Sequence, residues 1–147
     1  MFLSHFTKPI DAKGRLTLPA PFRATLSAEK FAGVFVHPAL DSPALDCGGN
    51  RLLGEIGAML AKMPPYAPER EDLSLALLGT SEIVKLDPEG RFVLSDRLKA
   101  AIGLTNEAAF VGQGDKFQIW AADAFAARLE SARARARALR SDLARAL

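Results

Sequence analysis

The sequence of 147 residues has few of the side chains that enzymes use for metal binding or nucleophilic chemistry. It contains one cysteine and two histidines. A single cysteine cannot form an internal disulfide, and no Cys/His cluster has the spacing of a metal site. His5 and His37 have no serine motif or carboxylate pair nearby that would suggest a catalytic triad. We therefore expect no enzymatic activity, no metal and no cofactor, in reducing, intracellular surroundings.

Signals for secretion, membrane insertion and nucleotide binding are also missing. The N-terminus lacks the basic start and long apolar run of a signal peptide. The longest apolar stretch, at 73–79, is far too short to span a bilayer. The glycine-rich segment 47–50 has no P-loop features, so we predict a loop there, with Cys47 as a small loop residue. A cytoplasmic protein with no membrane contact and no small-molecule substrate is expected.

Charge is low overall but unevenly distributed. The net charge is +2, and residues 123–147 carry six arginines against three acidic residues, so the remainder of the chain is slightly acidic. A basic tail on a nearly neutral body is compatible with nucleic-acid binding. It is equally compatible with a solvated helix face. The same composition favours a helix, whose distal part is either a partner-binding helix or loosely ordered.

A repeat is the most informative feature present. Asp11, Gly14 and Arg15 of DAKGR recur 76 residues later in DPEGR. Segment 9–26 aligns with 85–102 without a gap, and apolar positions match apolar positions. Arg23 falls opposite Lys99 in this alignment. We interpret the two segments as copies of one structural unit.

Apolar alternation and turn residues predict the secondary structure around each copy. Strands are predicted over 2–6, 16–18, 32–37, 81–86 and 91–94, and a hairpin over 108–120. Helices are predicted over 20–26 and 96–102, within 48–79 as two pieces broken near Met63, and from 121 onward. Each D-x-x-G turn is predicted to form the tip of a β-hairpin, with left-handed glycine and arginine as the next residue.

The twin turns suggest a function. One half-size unit buries too little apolar surface alone, so two copies are expected to pack with pseudo-twofold symmetry and present two arginine loops. The arginine fork matches guanine edges and phosphates, and a β-ribbon can enter a major groove. Asp11 could orient Arg15 or merely cap the turn. The first turn sums to +1 and the second to −1. The first is therefore the better DNA candidate, and Arg91 is expected to pair with its own acids.

Four segments carry a resemblance to a known family: 2–23, 62–72, 78–104 and 110–120. Their doubled D-x-x-x-R element, together with a G-x-G-D-x-F-x-I-W stretch, resembles the MraZ family of bacterial transcriptional regulators. The resemblance implies an α+β fold, a pseudo-twofold, AbrB-like double-split β-barrel of two repeats with peripheral helices and a C-terminal helix. It implies binding of double-stranded DNA at short G-rich direct repeats upstream of the protein's own operon, in the division and cell-wall gene cluster. Ring-shaped homo-oligomers and association with the nucleoid are also implied.

The family motif maps onto seven positions. Lys13, Arg15 and Arg91 are the implied DNA-binding residues. The implied loop-orienting residues are Asp11, Gly14, Asp87 and Gly90. The expected organisation is a first repeat with its helix (1–62), a linker and helix (63–80), a second repeat (81–124) and an Arg/Ala-rich helix or tail (125–147).

The sequence departs from the family pattern in two places. Segment 37–52 lacks the aromatic second strand, so that part of the first repeat is expected to be shortened or looped. Ala121 stands where an aspartate often begins the helix. The arginine-rich tail is expected to lie outside the resemblance. Two other functions stay open, namely a non-enzymatic interaction or antitoxin-like module, and an enzyme with a pocket that the sequence does not reveal.

Overall fold

The structure of the chain is a computed structural model that describes residues 1–146. Leu147, the last residue of the predicted tail, lies outside the described residues. The strands are β1 His5–Pro9, β2 Leu16–Thr17, β3 Val34–Pro38, β4 Ala44–Gly48, β5 Glu82–Val84, β6 Arg91–Phe92, β7 Glu107–Gly112 and β8 Phe117–Ala121. The α-helices are α1 Ala20–Ala28, α2 Asn50–Ala61, α3 Pro68–Ser74, α4 Asp96–Ile102 and α5 Ala122–Ala146. A π-helical turn, Leu75–Gly79, continues α3. The predicted α+β class is confirmed.

All strand pairs are antiparallel, and most of them join the two halves of the chain. The larger sheet has the order β1-β7-β8-β4-β3-β5, and β2 pairs with β6 in a separate two-stranded sheet. The first strand of each half lies against the third strand of the other, as β1 does with β7 and β5 with β3. Like strands also meet, β2 with β6 and β4 with β8. Neither half could complete its sheet without the other.

This pairing corrects the predicted hairpins around the D-x-x-G turns. The strands that flank each turn diverge and pair with the opposite half. Only the turn itself closes, with the Asp11 amide donating to the Arg15 carbonyl at 3.0 Å and the Asp87 amide to the Arg91 carbonyl at 2.9 Å. Crossing between halves buries the apolar faces of both strands, which a local hairpin of this length cannot do. The predicted hairpin over 108–120 is confirmed as β7 and β8.

The core lies between the sheets and the two short helices that follow the turns. Helix α1 buries Phe22 and Leu26, and α4 buries Leu98 and Ile102 at the equivalent i, i+4 positions. Phe22 packs 4.9 Å from Phe117 between ring centroids. The predicted caps of α4 are also present: the Ser95 hydroxyl accepts from the Leu98 amide, and Gly103 ends the helix with φ of 61°. These contacts attach the two short helices, which follow the turns in the sequence, to the core.

The segment 37–52 is looped only in part, at 39–43, and Cys47 is not a loop residue. Residues 44–48 form β4, whose five residues are all buried between β3 and β8. Burial raises the pKa of the Cys47 thiol well above its ordinary value. The prediction was wrong because Cys47 is followed by two consecutive glycines, the composition of a loop, although Gly48 is the last residue of the strand.

Other boundaries differ by a few residues. The first strand starts at His5 rather than at Phe2, because Ser4 has a φ of 70° and bends the chain there. Phe2 instead forms an isolated bridge with Gly114 and is fully buried. The predicted break near Met63 is confirmed between α2 and α3. No helix among residues 1–146 combines the length and apolar character needed to cross a membrane.

Candidate nucleic-acid interface

The first turn is organised by one carboxylate. Asp11 Oδ1 accepts hydrogen bonds from the Lys13 amide at 2.9 Å and the Arg15 amide at 2.8 Å. Its other oxygen, Oδ2, accepts from Arg15 Nε at 2.7 Å. Gly14 completes the turn with φ of 77°, the left-handed conformation that favours glycine. Asp11 therefore both caps the turn and orients Arg15, so the two roles left open by the sequence are both filled.

The second turn repeats this geometry. Asp87 Oδ1 accepts from the amides of Glu89 and Arg91 at 2.9 and 2.8 Å, and Oδ2 accepts from Arg91 Nε at 2.7 Å. Gly90 has φ of 79°. The five-residue motif thus encodes one local structure twice, and in each copy the guanidinium is held by its Nε. The two Nη groups form the outer fork of each guanidinium.

The outer forks differ between the two turns. Arg91 Nη1 lies 3.4 Å from Glu89 Oε2, so that fork is partly compensated by an acid of its own turn. Arg15 donates a side-chain hydrogen bond through Nε, and within residues 1–146 its Nη atoms donate none. Lys13, the intervening basic residue, is exposed. The predicted pairing of Arg91 with its own acids is confirmed, and the first turn has the more available cations.

The hydrogen bonds and ion pairs within the two turns also shift the pKa values of their charged groups. The backbone amide of Arg15 and then its side chain hold the pKa of Asp11 below its ordinary value, despite partial desolvation. Asp87 has a lowered pKa for the same reasons, with Arg91 as donor. The pKa of Arg91 is raised by its bond to Asp87 and further by the charges of Asp87, Glu89 and Asp11. Because Asp11 acts on Arg91, the two turns lie close enough to share one electrostatic field.

The two turns lie side by side because β2 and β6 pair directly after them. Leu16 is opposite Phe92 and Thr17 is opposite Arg91. The side chains of Arg15 and Arg91 are each 29% exposed, so each is packed against the protein over most of its surface and still reaches solvent. Both arginines border a groove of about 610 Å³ that is also lined by Ile83 and Val93. The structure therefore brings all seven predicted site residues together in two adjacent turns.

Arg23 belongs to this region but was missed as a site residue. It extends from α1, and its Nη2 donates to the Pro88 carbonyl of the second turn at 2.8 Å. Its counterpart Lys99 is 3.4 Å from Asp96 of its own helix instead. The sequence did contain a signal for Arg23, because the alignment of the two copies places a basic residue at this position in both, Arg23 in the first and Lys99 in the second. The second turn is therefore fastened to the opposite half of the chain.

A separate polar cluster lies away from the turns. Asp46 accepts from Gln118 Nε2 at 2.7 Å, lies 3.1 Å from Lys116 Nζ, and is 3.8 Å from His37 Nε2. Gln118 Oε1 in turn accepts from Trp120 Nε1 at 2.9 Å. No buried side-chain polar atom of the described residues lacks a hydrogen-bond partner. Over residues 1–146, no group of three acidic, histidine or cysteine side chains is placed to hold a metal ion.

Comparison with known proteins agrees with this arrangement. A family model described as "MraZ protein, putative antitoxin-like" matches residues 76–145. A protein of Methylocella silvestris named "Transcriptional regulator MraZ" is 53% identical over 97% of this chain and 87% of its own length. Proteins of the same name from Caulobacter vibrioides and Rhizobium meliloti are each 39% identical, over 99% and 85% of this chain and 87% and 86% of their own lengths.

Identity of 39–53% over most of the chain to relatives named as transcriptional regulators places the chain in that class of protein. More narrowly, the chain belongs to the MraZ family. The expectation that the arginine-rich tail lies outside the family resemblance is wrong, because the match to the family model continues to residue 145.

Proposed function

We propose that this chain is a sequence-specific regulator that binds double-stranded DNA through its arginine turns, with Lys13 and Arg15 as the leading contacts. The observation that carries the proposal is the state of the Arg15 fork. Its Nε is hydrogen-bonded to Asp11, whereas Nη1 and Nη2 donate no hydrogen bond within residues 1–146. A guanidinium held at one edge is preorganised to donate two hydrogen bonds to the O6 and N7 atoms of guanine.

The two turns have different roles in this proposal. Arg91 is the second DNA-binding residue, but its fork is already close to Glu89. Its turn sums to −1 and is attached to α1 through Arg23. We therefore assign it mainly to positioning the first turn, with a weaker DNA contact of its own. Asp11, Gly14, Asp87 and Gly90 are the residues that shape and orient the two loops.

The cross-paired strands support a pseudo-twofold double-split β-barrel as the framework. In this interpretation the repeats occupy 1–62 and 81–124, the linker and its helix occupy 63–80, and 125–147 form the C-terminal helix. The reciprocal pairing of β1 with β7 and of β5 with β3 supports it. Its functional consequence is that both turns leave the barrel at the same end.

The proposed target is a set of short G-rich direct repeats upstream of the chain's own operon, in the division and cell-wall gene cluster. One chain carries a net charge of only +2. A ring-shaped homo-oligomer that places several turns on successive repeats would raise affinity through multivalency without a strongly basic surface. The protein would then be cytoplasmic, associated with the nucleoid, and without a catalytic function.

The test is fluorescence anisotropy on a duplex from upstream of the gene, with a scrambled duplex as reference, both at physiological salt. We expect Arg15→Ala to weaken binding to the upstream duplex by about 1–3 kcal/mol per site, as for loss of a bidentate base contact. Arg15→Lys keeps the charge and loses the fork, so it should also lose discrimination. Arg137→Ala, an exposed arginine of α5, is the matched control. If a folded Arg15→Ala protein binds the upstream duplex as tightly as the wild type at the same salt concentration, the proposal is wrong.

A second function is favoured by the family description, which includes the term antitoxin-like. In that case the arginine loops would hold another protein rather than DNA. The same measurement separates the two functions. If neither duplex binds although the oligomer is intact, an interaction module is favoured. Equal, weak and salt-sensitive binding to both duplexes would instead indicate non-specific attraction to phosphates.

A further inference from the structure

Helix α5 extends well beyond the part of the molecule that it packs against. Its first turns are anchored, because Phe125 is buried and its ring centroid lies 6.2 Å from that of Trp120. Leu129 packs against the same small cluster. Every residue from Arg133 to Ala146 is exposed. At about 1.5 Å per residue, these fourteen residues form a rod of roughly 20 Å without contacts to the body that would bury them.

An apolar seam runs along this rod. It begins at Phe125 and continues at alternating spacings of four and three residues through Leu129, Ala132, Ala136, Leu139 and Leu143. This is the a/d pattern of a coiled coil. The anchored half of the seam packs on the protein's own sheet, whereas Leu139 and Leu143 are 60% and 58% exposed. The free half is therefore a direct continuation of a surface that is already used for packing.

Arginines flank the seam on both sides. Arg128 and Arg135 precede seam positions on one side, and Arg133 and Arg140 follow seam positions on the other. In coiled coils these are the g and e positions, whose charges select the partner. Asp142 is the acidic residue at a flanking position of the free half, and it is ion-paired with Arg145. The guanidinium groups of Arg133, Arg135 and Arg140 have no hydrogen-bond or ion-pair partner among residues 1–146.

We propose that the free half of α5, residues 133–146, docks an amphipathic helix of another protein that carries acidic residues beside its own apolar seam. A second copy of α5 fits poorly. Parallel pairing would place Arg135 against Arg140 of the other copy, and antiparallel pairing would also oppose arginines. Acidic side chains at the matching positions convert every one of these repulsions into an ion pair.

Two other partners fit the same surface less well. Duplex DNA offers phosphates but no apolar groove for Leu139 and Leu143, and it would favour arginines gathered on one side of the helix. A membrane surface requires a broad apolar face with bulky side chains. Here the seam is narrow and includes Ala132 and Ala136. This proposal does not depend on DNA binding by the arginine turns.

The experiment uses the full chain and two labelled synthetic peptides of about 28 residues. Both peptides have leucine at every a and d position, one with glutamate and the other with lysine at every e and g position. We expect the glutamate peptide to bind and the lysine peptide not to bind in fluorescence anisotropy. Arg135→Glu should weaken binding about tenfold. Arg137→Glu, the same change on the opposite side of the helix, should alter it less than threefold.

A second variant separates docking from general attraction between charges. Leu139→Ala combined with Leu143→Ala keeps every charge and retains helix propensity, and we expect at least a tenfold loss of binding to the glutamate peptide. Circular dichroism confirms that the helix is intact. The proposal is overturned if the glutamate peptide does not bind the wild-type chain. It is also overturned if the Arg135→Glu and Arg137→Glu variants lose the same amount of affinity for this peptide, or if the double leucine variant binds it as tightly as the wild type. It is also overturned if sedimentation shows that the leucine variant dissociates the chain's own oligomer.

Discussion

At the scale of single residues, the two aspartates of the turns determine how the arginines are presented. Asp11 and Asp87 each use one carboxylate oxygen for backbone amides and the other for an arginine Nε. The first set of bonds fixes the shape of the loop, and the second fixes the direction of the guanidinium. Replacing either carboxylate with a neutral side chain therefore affects both properties at once.

We predict that the stabilising effect of these carboxylates depends on pH. Hydrogen bonds from Arg15 and Arg91 lower the pKa of Asp11 and Asp87 in the folded state. A lowered folded-state pKa adds stability above the unfolded value of about 4, and that stability is lost as the pH falls through the folded value. The combined Asp11→Asn and Asp87→Asn variant should therefore be less stable than the wild type at pH 7, with the difference shrinking below about pH 4.

Urea unfolding followed by circular dichroism at pH 7, 5, 4 and 3 measures this difference. The effect should be small, because both carboxylates are solvent-accessible and water screens their charges. Asp41→Asn is a suitable control, since Asp41 is exposed and has no ion pair among residues 1–146. A difference in unfolding free energy that stays constant from pH 7 to pH 3 would contradict the assignment.

At the scale of structural elements, the local signals in the sequence were reliable and the long-range ones were not. The caps of α4, the glycine conformations in both turns and the break before α3 follow from residues close together in the chain. The pairing partners of β1 and β2 do not, because each short strand carries an apolar pattern that fits a local hairpin as well as a distant strand. Strand β4 was missed because its end, Cys47-Gly48, runs into a second glycine, and the burial of the strand depends on the neighbouring strands β3 and β8.

The contact between α1 and the second turn leads to a prediction at this scale. Gly14 and Gly90 both have positive φ, so alanine at either position should cost about 1–2 kcal/mol of unfolding free energy. At Gly14 an added Cβ meets nothing within 4 Å, whereas at Gly90 it would lie 3.1 Å from Arg23 Nη1. Gly90→Ala requires the Arg23 guanidinium to shift by a few tenths of an ångström, which weakens its bond to the Pro88 carbonyl. It should therefore cost about 0.5–1.5 kcal/mol more than Gly14→Ala.

A double-mutant cycle checks this cause. In an Arg23→Ala background the displaced side chain is absent, so the costs of Gly90→Ala and Gly14→Ala should become equal within about 0.5 kcal/mol. Chemical unfolding of the four glycine variants and their two parents gives the required values. If the excess cost of Gly90→Ala persists without Arg23, the second turn is constrained by something other than this contact.

At the scale of the whole molecule, the strand pairing and the net charge together limit how tightly a single chain could bind DNA. Strand pairing between halves places the two turns side by side, so in the proposed function one chain presents a single pair of arginine turns to DNA. With a net charge of +2, such a chain gains little from general attraction to DNA. In the proposed function, useful affinity for DNA therefore requires the arginine turns of several chains to bind together. This requirement can be tested directly.

We predict that binding depends on the number and phase of repeats in the DNA. If ring-shaped oligomers place successive turns on successive repeats, a duplex with two repeats should bind on the order of 10²-fold more tightly than a duplex with one. Inserting about 5 base pairs between the repeats rotates the second onto the opposite side of the helix and should abolish most of the gain, whereas about 10 base pairs preserves the phase. Fluorescence anisotropy with length-matched duplexes measures these affinities, and sedimentation velocity reports the oligomer in each sample. An oligomer that binds one-repeat and two-repeat duplexes with the same affinity would show that its turns act singly. A monomer that binds tightly would place the specificity within a single pair of arginine turns and remove the need for a ring.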